Sequence, residues 1–474
     1  MIDLKPYFGS QVDGKNGQLF YTGAEGATNL ISYYTNGVAE DAIQSWRQTF
    51  ARRGRELKKR GIPYHVIIVP GAHVACGNDL PDHLHGKIKA PFPQLSAVMD
   101  GAEGVTLHDA LPDLAVADTP FRTYRRNDTH WTDYGAYLNY QAVSRRVALE
   151  TKIGLVTPDD FSVELKNAFG DLSIHRVPEG APELIPILTV GGRHHARTVQ
   201  KNTTVVRNRL IRMESDTAPE TSAFFFHDSY GTAQAKFWAR SFSRTSFAGV
   251  THRVYFDAID RDKPDVVFSI MAEHRLFQRP NDHDHWTFED DFESDCKSPA
   301  GVKAAKILVL YRQQKLAEAV EAAAGLDQEV GFGAYHARVA AQAYVAAHRY
   351  DDGVAMSQTA LSLAPQSPSN LWMAAYASVY AGKPHDAVTL ATWAVATDRF
   401  NGAWAELLAS VLIGLGRWDD AAALLENTVP QIDDHPELWR HLAHVRDMRG
   451  QLTARDEARA KAAALDGQDL RLAS

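Results

Sequence analysis

Two short segments carry side chains suited to covalent chemistry. The first reads Ala223-Phe224-Phe225-Phe226-His227-Asp228-Ser229-Tyr230-Gly231. An apolar, strand-like run passes straight into Asp-Ser and then into the helix-like stretch Thr232 to Arg240. A serine at such a turn is exposed and faces the N–H groups of a helix start, donors that stabilise an oxyanion. Taken alone, Asp-Ser-x-Gly is equally an ordinary helix cap. The second segment runs from Arg126 to Gly135 and contains Asp128 and His130. In extended backbone, residues two apart point the same way. The carboxylate then fixes the imidazole tautomer and leaves the other ring nitrogen as a base. A lone Asp-x-His also suits a solvated loop, with Thr132 or Asp133 capping the next helix.

The neighbours of these segments have two readings each. Arg122, Arg125 and Arg126 would meet an acidic sugar, although solvated arginines are the default. Trp131 and Tyr230 suit a stack on a pyranose face, and equally a core. Asp282-His283-Asp284-His285-Trp286 would place two imidazoles on one side of a strand as metal ligands; its polar surroundings favour a solvated loop. His194-His195 reads as a surface turn. The sequence contains no phosphate-cradling glycine loop, and neither a cofactor nor a metal is expected. Cys76 and Cys296 lie far apart without metal-ligand spacing, so two reduced, partly buried thiols are expected rather than a disulfide framework.

The elements around the chemistry alternate. Tyr64 to Val69, Ala223 to Phe226 and Asp265 to Ile270 are continuous apolar runs, the pattern of parallel strands covered on both faces. Glu40 to Lys59 and Asp133 to Leu149 have helical periodicity. The expectation is an α/β three-layer domain with a parallel sheet over residues 1–290, interrupted by a polar insertion at about 155–220 that carries short strands. Residues 279–297, acidic and aromatic, are expected to form the connection into the next domain.

Beyond it the chain repeats. His348, Gly382, Gly416 and Gly450 follow one another at intervals of 34 residues, and one step back falls on Gln314. That period, with glycine at the turn, marks tetratricopeptide-like helix pairs. An all-α repeat domain is expected over residues 300–474. Each pair buries its apolar face against the next, and the concave face left over suits a protein partner; the other reading is that the repeats only stabilise or dimerise the protein.

The chain has 474 residues, 45% of them apolar and 23% charged, with a net charge of -8. Such a length implies more than one core. A mildly acidic balance argues against nucleic acid or anionic lipid as partner. No apolar run reaches the roughly 20 residues of a membrane span. The start, Met1-Ile2-Asp3-Leu4-Lys5-Pro6, has no basic segment followed by an apolar stretch. The expected compartment is therefore the cytoplasm for the sequence as it stands, or the periplasm if a leader has been removed.

Asp128-Thr129-His130-Trp131-Thr132 together with His227-Asp228-Ser229-Tyr230-Gly231 resembles the SGNH-hydrolase-like domain of the AlgX/AlgJ family, O-acetyltransferases of alginate and related exopolysaccharides. Val12 to Tyr21 is similar to the family's opening glycine-rich phrase. Gly170-Asp171-Leu172 is similar to its Gly-Asp-Leu, and Asp265 to Leu276, with Glu273, to its final strand. The similarity covers residues 8–280. It implies Ser229 as nucleophile, His130 as base and Asp128 as orienter. The Ser229 and Gly231 N–H groups would hold the oxyanion, and Tyr230, Trp131, His227 and Arg126 are further substrate candidates. It also implies an acetyl donor and a polysaccharide or glycan acceptor; with water as acceptor, the same site is an esterase. A third reading keeps the domain as a glycan-binding scaffold. The chain departs from the family in having His227 where Gly is usual, and Pro70-Gly71-Ala72-His73 in place of Pro-Asp-Lys.

Overall fold

The computed structural model describes residues 11–473 apart from 24–29, 116–118, 174–181, 193, 203–208, 252, 278–279, 281, 283–286, 289–291, 293–296, 398–400 and 433–434. Its strands are β1 (Gln11–Asp13), β2 (Leu19–Tyr21), β3 (Tyr64–Val69), β4 (Thr106–Asp109), β5 (Phe161–Ala168), β6 (Glu183–Val190), β7 (Arg197–Lys201), β8 (Leu210–Glu214), β9 (Ser222–His227), β10 (Arg244–Ala248) and β11 (Val266–Ala272). Seven of them form one sheet in the order β4-β3-β11-β9-β10-β8-β7. From β4 to β10 every pairing is parallel. The last two strands, β8 and β7, pair antiparallel. The expected parallel sheet is thus the centre of a mixed one. Two consecutive strands joined by a short link can pair antiparallel without a crossover helix, and β7 is exposed along its whole length.

The central strands β3, β9 and β11 are buried at every position. Successive side chains point to opposite faces. Phe225 therefore joins Tyr137, Tyr140, Phe237 and Trp238 on one face, supplied by helices Asp133–Val147 and Ser229–Trp238. Phe224 and Phe226 join Trp46, Phe50 and Ile259 on the other, under helices Glu40–Lys59 and Phe256–Asp262. This is the three-layer arrangement. Phe225 lies opposite Phe268 on β11 and Phe247 on β10, with ring centroids 4.6 and 4.7 Å away and nearly parallel planes. Burying each such ring contributes about 1.5–3 kcal/mol.

Beyond the sheet the chain continues as antiparallel helix pairs from Pro299–Arg312 to Leu452–Ala473, a tetratricopeptide-like array. Gln314, His348, Gly382, Gly416 and Gly450 all adopt positive φ, between 58° and 71°. One left-handed residue closes each turn, and glycine takes that conformation without a Cβ clash. Ala341, Ala375, Ala409 and Ala443 recur at the same interval, and each is at most 2% exposed. Small side chains at these positions let successive helices approach. Among the described residues, no helix is long and apolar enough to cross a membrane.

Candidate active site

Ser229 sits where β9 ends, and the helix begins with Ser229 itself, earlier than the Thr232 expected from the sequence. The reason is Asp228. One oxygen of its carboxylate accepts the Tyr230 N–H at 3.0 Å and caps the helix. The other accepts the Ala272 N–H at 2.8 Å, at the end of the neighbouring strand β11. The carboxylate that starts the helix therefore also fixes it to the sheet. Ser229 and Gly231 occupy the first turn, whose N–H groups have no intrahelical acceptor and favour negative charge.

Asp128 and His130 lie in a bend rather than in extended backbone. Asp128 Oδ1 accepts both the His130 backbone N–H at 3.0 Å and its ring Nδ1 at 2.7 Å. A local Asx-type turn thus does what the alternation of a strand was expected to do. His130 Nε2 is 2.7 Å from Ser229 Oγ. Ser229 is exposed and Asp128 buried. The three side chains form one hydrogen-bonded line from interior to surface.

The loop that carries Asp128 is held from several sides. Arg125 donates to Asp128 Oδ2 at 2.6 Å, and the Asp171 N–H reaches the same oxygen at 3.1 Å. Asp171 in turn accepts the Thr129 N–H at 2.8 Å and its hydroxyl at 2.5 Å. Glu183, at the start of β6, accepts the Arg126 N–H at 2.8 Å and the Asn127 N–H at 3.3 Å. The β1–β2 hairpin closes the other side, with the Leu19 N–H on the Arg126 carbonyl at 2.7 Å and Gln18 on the Arg125 carbonyl at 3.0 Å. The Tyr230 hydroxyl donates to the Thr129 carbonyl at 2.6 Å, which ties the loop to the Ser229 helix. Thr132 caps the following helix by accepting the Gly135 N–H at 3.1 Å.

Burial disfavours a charged His130 ring, but the hydrogen bond and charge of Asp128, with the charges of Asp171 and Asp228, outweigh it and raise the pKa above the ordinary histidine value. For Asp128 too, burial acts against the charge, and the His130 bond and Arg125 guanidinium overcome it to hold the carboxyl below its usual range. Burial raises Asp228, against the Ala272 and Tyr230 N–H bonds. Asp128, His130 and Asp171 also set one donor atom each within 4.8 Å of one another, but these atoms are engaged with each other and with Arg125 and Thr129.

A cavity of about 340 Å³ opens at Ser229, with His130, Tyr34, His73 and His274 in its wall. A second hollow of about 540 Å³ shares Asp228, Ser229 and Arg275 with it. Several expectations are corrected here. Trp131 is 2% exposed and donates its indole N–H to the Tyr230 carbonyl at 3.2 Å; it is core, not a sugar platform. Tyr230 lines the cavity but is only 3% exposed, and its hydroxyl is committed to the Thr129 carbonyl. His227 lines the second hollow, not the one with His130. Its ring packs so close to Gly231 that a Cβ there would lie 2.5 Å from the His227 Cβ. The Arg126 side chain is exposed and outside the cavity wall. Arg125 is not solvated but paired. Asp282 is also paired rather than solvated: its carboxylate is 7% exposed and held by Arg52 at 3.0 Å and Arg53 at 2.7 Å. His283, His285, Trp286 and Cys296 lie outside the described residues. Burial pushes the Cys76 thiol up to about 12, which makes it inert.

Residues 12–174 match the family model described as the SGNH hydrolase-like domain of acetyltransferase AlgX. The resemblance to the AlgX/AlgJ family holds. The matched segment contains Asp128, His130, Gly170 and Asp171, and Ser229 lies beyond it. Among solved structures, Bacillus cereus PatB1 is 15% identical, with 57% of this chain and 99% of that chain covered and a TM-score of 0.43. The O-acetyltransferase domain of Pseudomonas putida AlgJ is 18% identical, with 57% and 94% covered and a TM-score of 0.39. MamA of MSR-1 is 20% identical, with 37% and 99% covered and a TM-score of 0.31. No curated protein matches the chain in sequence.

The AlgX-type Gly170-Asp171-Leu172 acquires a physical role that sequence reading left unassigned. Arg125 and Glu183 were also missed as positioning residues, whereas Gly71, Ala72 and His73, from the segment that departs from the family's Pro-Asp-Lys, do line the cavity. Arg125 stood in view three residues before Asp128; Glu183, fifty-five residues further on, gave no signal.

Proposed function

We propose that this chain is a serine O-acetyltransferase that passes an acetyl group through Ser229 to a hydroxyl of a polysaccharide or glycan. The observation that carries the reading is the line Asp128–His130–Ser229, with 2.7 Å at each ring nitrogen, ending at a helix start in an open cavity. Neutral His130 takes the Ser229 proton through Nε2 while Asp128 holds Nδ1–H. Ser229 Oγ attacks the acetyl carbonyl. The oxyanion is met by the Ser229 and Gly231 N–H groups, each worth about 10²–10³ in kcat. The donor's oxygen leaves with the proton from His130. An acceptor hydroxyl then gives its proton to His130, attacks the acetyl-enzyme, and Ser229 leaves with that proton.

The match to an acetyltransferase domain supports transfer over hydrolysis, and the polysaccharide or glycan acceptor is what the resemblance to the AlgX/AlgJ family implies. In the same scheme the repeats of residues 300–474 bind a protein partner. A fluorophosphonate probe tests the site: it should label the wild type at Ser229, and label neither Ser229→Ala nor, at a comparable rate, His130→Ala. Equal labelling of the Ser229→Ala variant would refute the assignment.

A further inference from the structure

Ser229 borders two hollows, and His130 lines only the first of them. The oxygen that leaves the acyl carbon and the oxygen that replaces it must each exchange a proton with His130 Nε2. Donor alcohol and acceptor therefore belong in the first cavity. The oxyanion turns to the N–H groups of the helix start. The remaining substituent of the tetrahedral carbon is the acyl chain, and the space left for it is the second hollow, about 540 Å³. A methyl group neither fills that volume nor uses its charge.

The charge comes from Arg209 and Arg275, both exposed and both in the wall of the second hollow. Among the described residues, neither side chain makes an ion pair or a hydrogen bond. Their charges are felt across the wall. Burial holds His227 neutral at pH 7, with a pKa of about 4, and the Arg209 guanidinium adds to that effect. Burial raises Asp228, and the Arg275 guanidinium acts against it. His227 is also committed, since its Nδ1–H donates to the Asp228 carbonyl at 2.7 Å. Asp228 is the one carboxylate among the described residues of this wall, and its two oxygens already accept the Tyr230 and Ala272 N–H groups. Nothing in the wall therefore neutralises the two arginines. The exposed Thr232 hydroxyl and the start of the Ser229–Trp238 helix favour negative charge in the same place. A guanidinium matches the flat, two-oxygen end of a carboxylate.

We infer that Ser229 also accepts a short acyl chain that ends in a carboxylate, the half-ester of a dicarboxylic acid, and that Arg209 and Arg275 bind this carboxylate in the second hollow. This rests on the serine acyl-transfer reading and extends it beyond acetyl. The step balances as before. Ser229 Oγ bonds to the ester carbonyl carbon as its proton passes to His130, the bond to the leaving oxygen breaks, and that oxygen takes the proton. The terminal carboxylate stays charged throughout.

The test uses the full chain and three p-nitrophenyl esters: the acetate, the hydrogen adipate, and the adipate whose free end is an amide. The adipate carboxylate closes no unstrained anhydride, so it does not expel nitrophenol by itself. The ratio of burst rates, acid over amide, reports recognition of the charge and cancels any general loss of activity. Wild type should favour the acid about tenfold, the scale of a charged hydrogen bond. Arg209→Gln and Arg275→Gln should each lower that ratio about threefold, and the double variant should show no preference. Arg275→Lys keeps the charge and should keep most of the ratio. The adipyl group should appear by mass on the Ser229 peptide. A wild type that does not favour the acid overturns the inference, as does a preference that survives in the double variant. A second arm uses p-nitrophenyl acetate with methyl β-glucuronide and methyl β-glucoside as acceptors. If the arginines govern that choice and leave the acid-over-amide ratio alone, the anion belongs to the acceptor and the inference falls. No burst with any of the three esters is a different failure: it removes the acyl-enzyme itself, and this inference with it.

Discussion

Gly170 lies against the backbone of Asn127 so tightly that a Cβ on it would be 1.9 Å from the Asn127 carbonyl oxygen. The contact locks two loops together, since the Leu172 N–H also meets that carbonyl at 3.1 Å and the Asp171 N–H meets Asp128. Gly170→Ala must push the 127–130 loop away from Ser229. A displacement near 1 Å costs on the order of 10²-fold in rate. The expected outcome is a kcat/KM for p-nitrophenyl acetate lower by about that factor, in a protein whose helical circular dichroism is unchanged. Wild-type kinetics in this variant would show that the contact does not position the site.

Asp128→Asn keeps the shape and removes the charge. It also leaves His130 free to adopt the wrong tautomer, a change that costs on the order of 10⁴-fold in kcat elsewhere. Arg125→Ala removes only one of the groups on Asp128 Oδ2, because the Asp171 N–H remains. Its cost should be about tenfold, the scale of one charged hydrogen bond. Steady-state kinetics of the two variants side by side checks the order; an Arg125 effect as large as that of Asp128 would contradict it.

The pH profile follows from His130. Only the neutral ring can take the Ser229 proton, so acylation rises with pH through the His130 pKa. That pKa is held above the ordinary histidine value, chiefly by Asp128 working against burial. The rate of the nitrophenol burst should therefore inflect above pH ~6.5. In Asp128→Asn the inflection should move down as the residual rate falls. An inflection below the ordinary histidine range in the wild type would count against the geometry.

Glu273 predicts a pH dependence of stability. Burial raises its carboxyl to about 8, against the Gly71 N–H and Tyr34 hydroxyl bonds. The folded form therefore holds a proton that the unfolded chain releases near pH 4.5. The contribution of this group is fully present below that lower value and is lost as pH rises through about 8. Its limiting slope is about 1.4 kcal/mol per pH unit. Glu273→Gln should flatten the fall in urea midpoint between pH 5 and 8 and be more stable than wild type at pH 9. Parallel curves for the two proteins would mean that the carboxyl titrates normally.

Gln314 holds a left-handed backbone conformation, φ 58°, on an exposed turn. Gly382, Gly416 and Gly450 fill the equivalent turns at no such cost. Gln314→Gly should stabilise the repeats by about 1 kcal/mol, read as a higher denaturant midpoint. A lower midpoint would show that the glutamine side chain compensates its backbone.

The period of the repeats was legible because one left-handed residue per turn forces the same spacing each time. The central strands were legible because burial on both faces leaves unbroken apolar runs such as Tyr64 to Val69. The antiparallel edge was not: Arg197 to Lys201 has a single apolar residue, Val199, among polar ones and reads as loop. Asp128, His130 and Ser229 stood out through local phrases, which turn and cap geometry impose on the sequence. What holds them did not. Glu183 on Asn127 and Asp171 on Thr129 are contacts across 56 and 42 residues, and single carboxylates at such a distance carry no local pattern. Trp131 was ambiguous because an indole serves a core and a sugar equally well. Only the packing around Tyr230 decided it.

The central claim is a covalent acetyl on Ser229. Wild type and Ser229→Ala, mixed with p-nitrophenyl acetate and acid-quenched within the burst, should be digested and weighed by mass spectrometry. The account predicts one added acetyl group on the wild-type peptide containing Ser229, and none on that peptide from the alanine variant, together with loss of its turnover. Acetate release by Ser229→Ala at the wild-type rate, or a wild type that turns over with no acetylated Ser229 peptide, would contradict it.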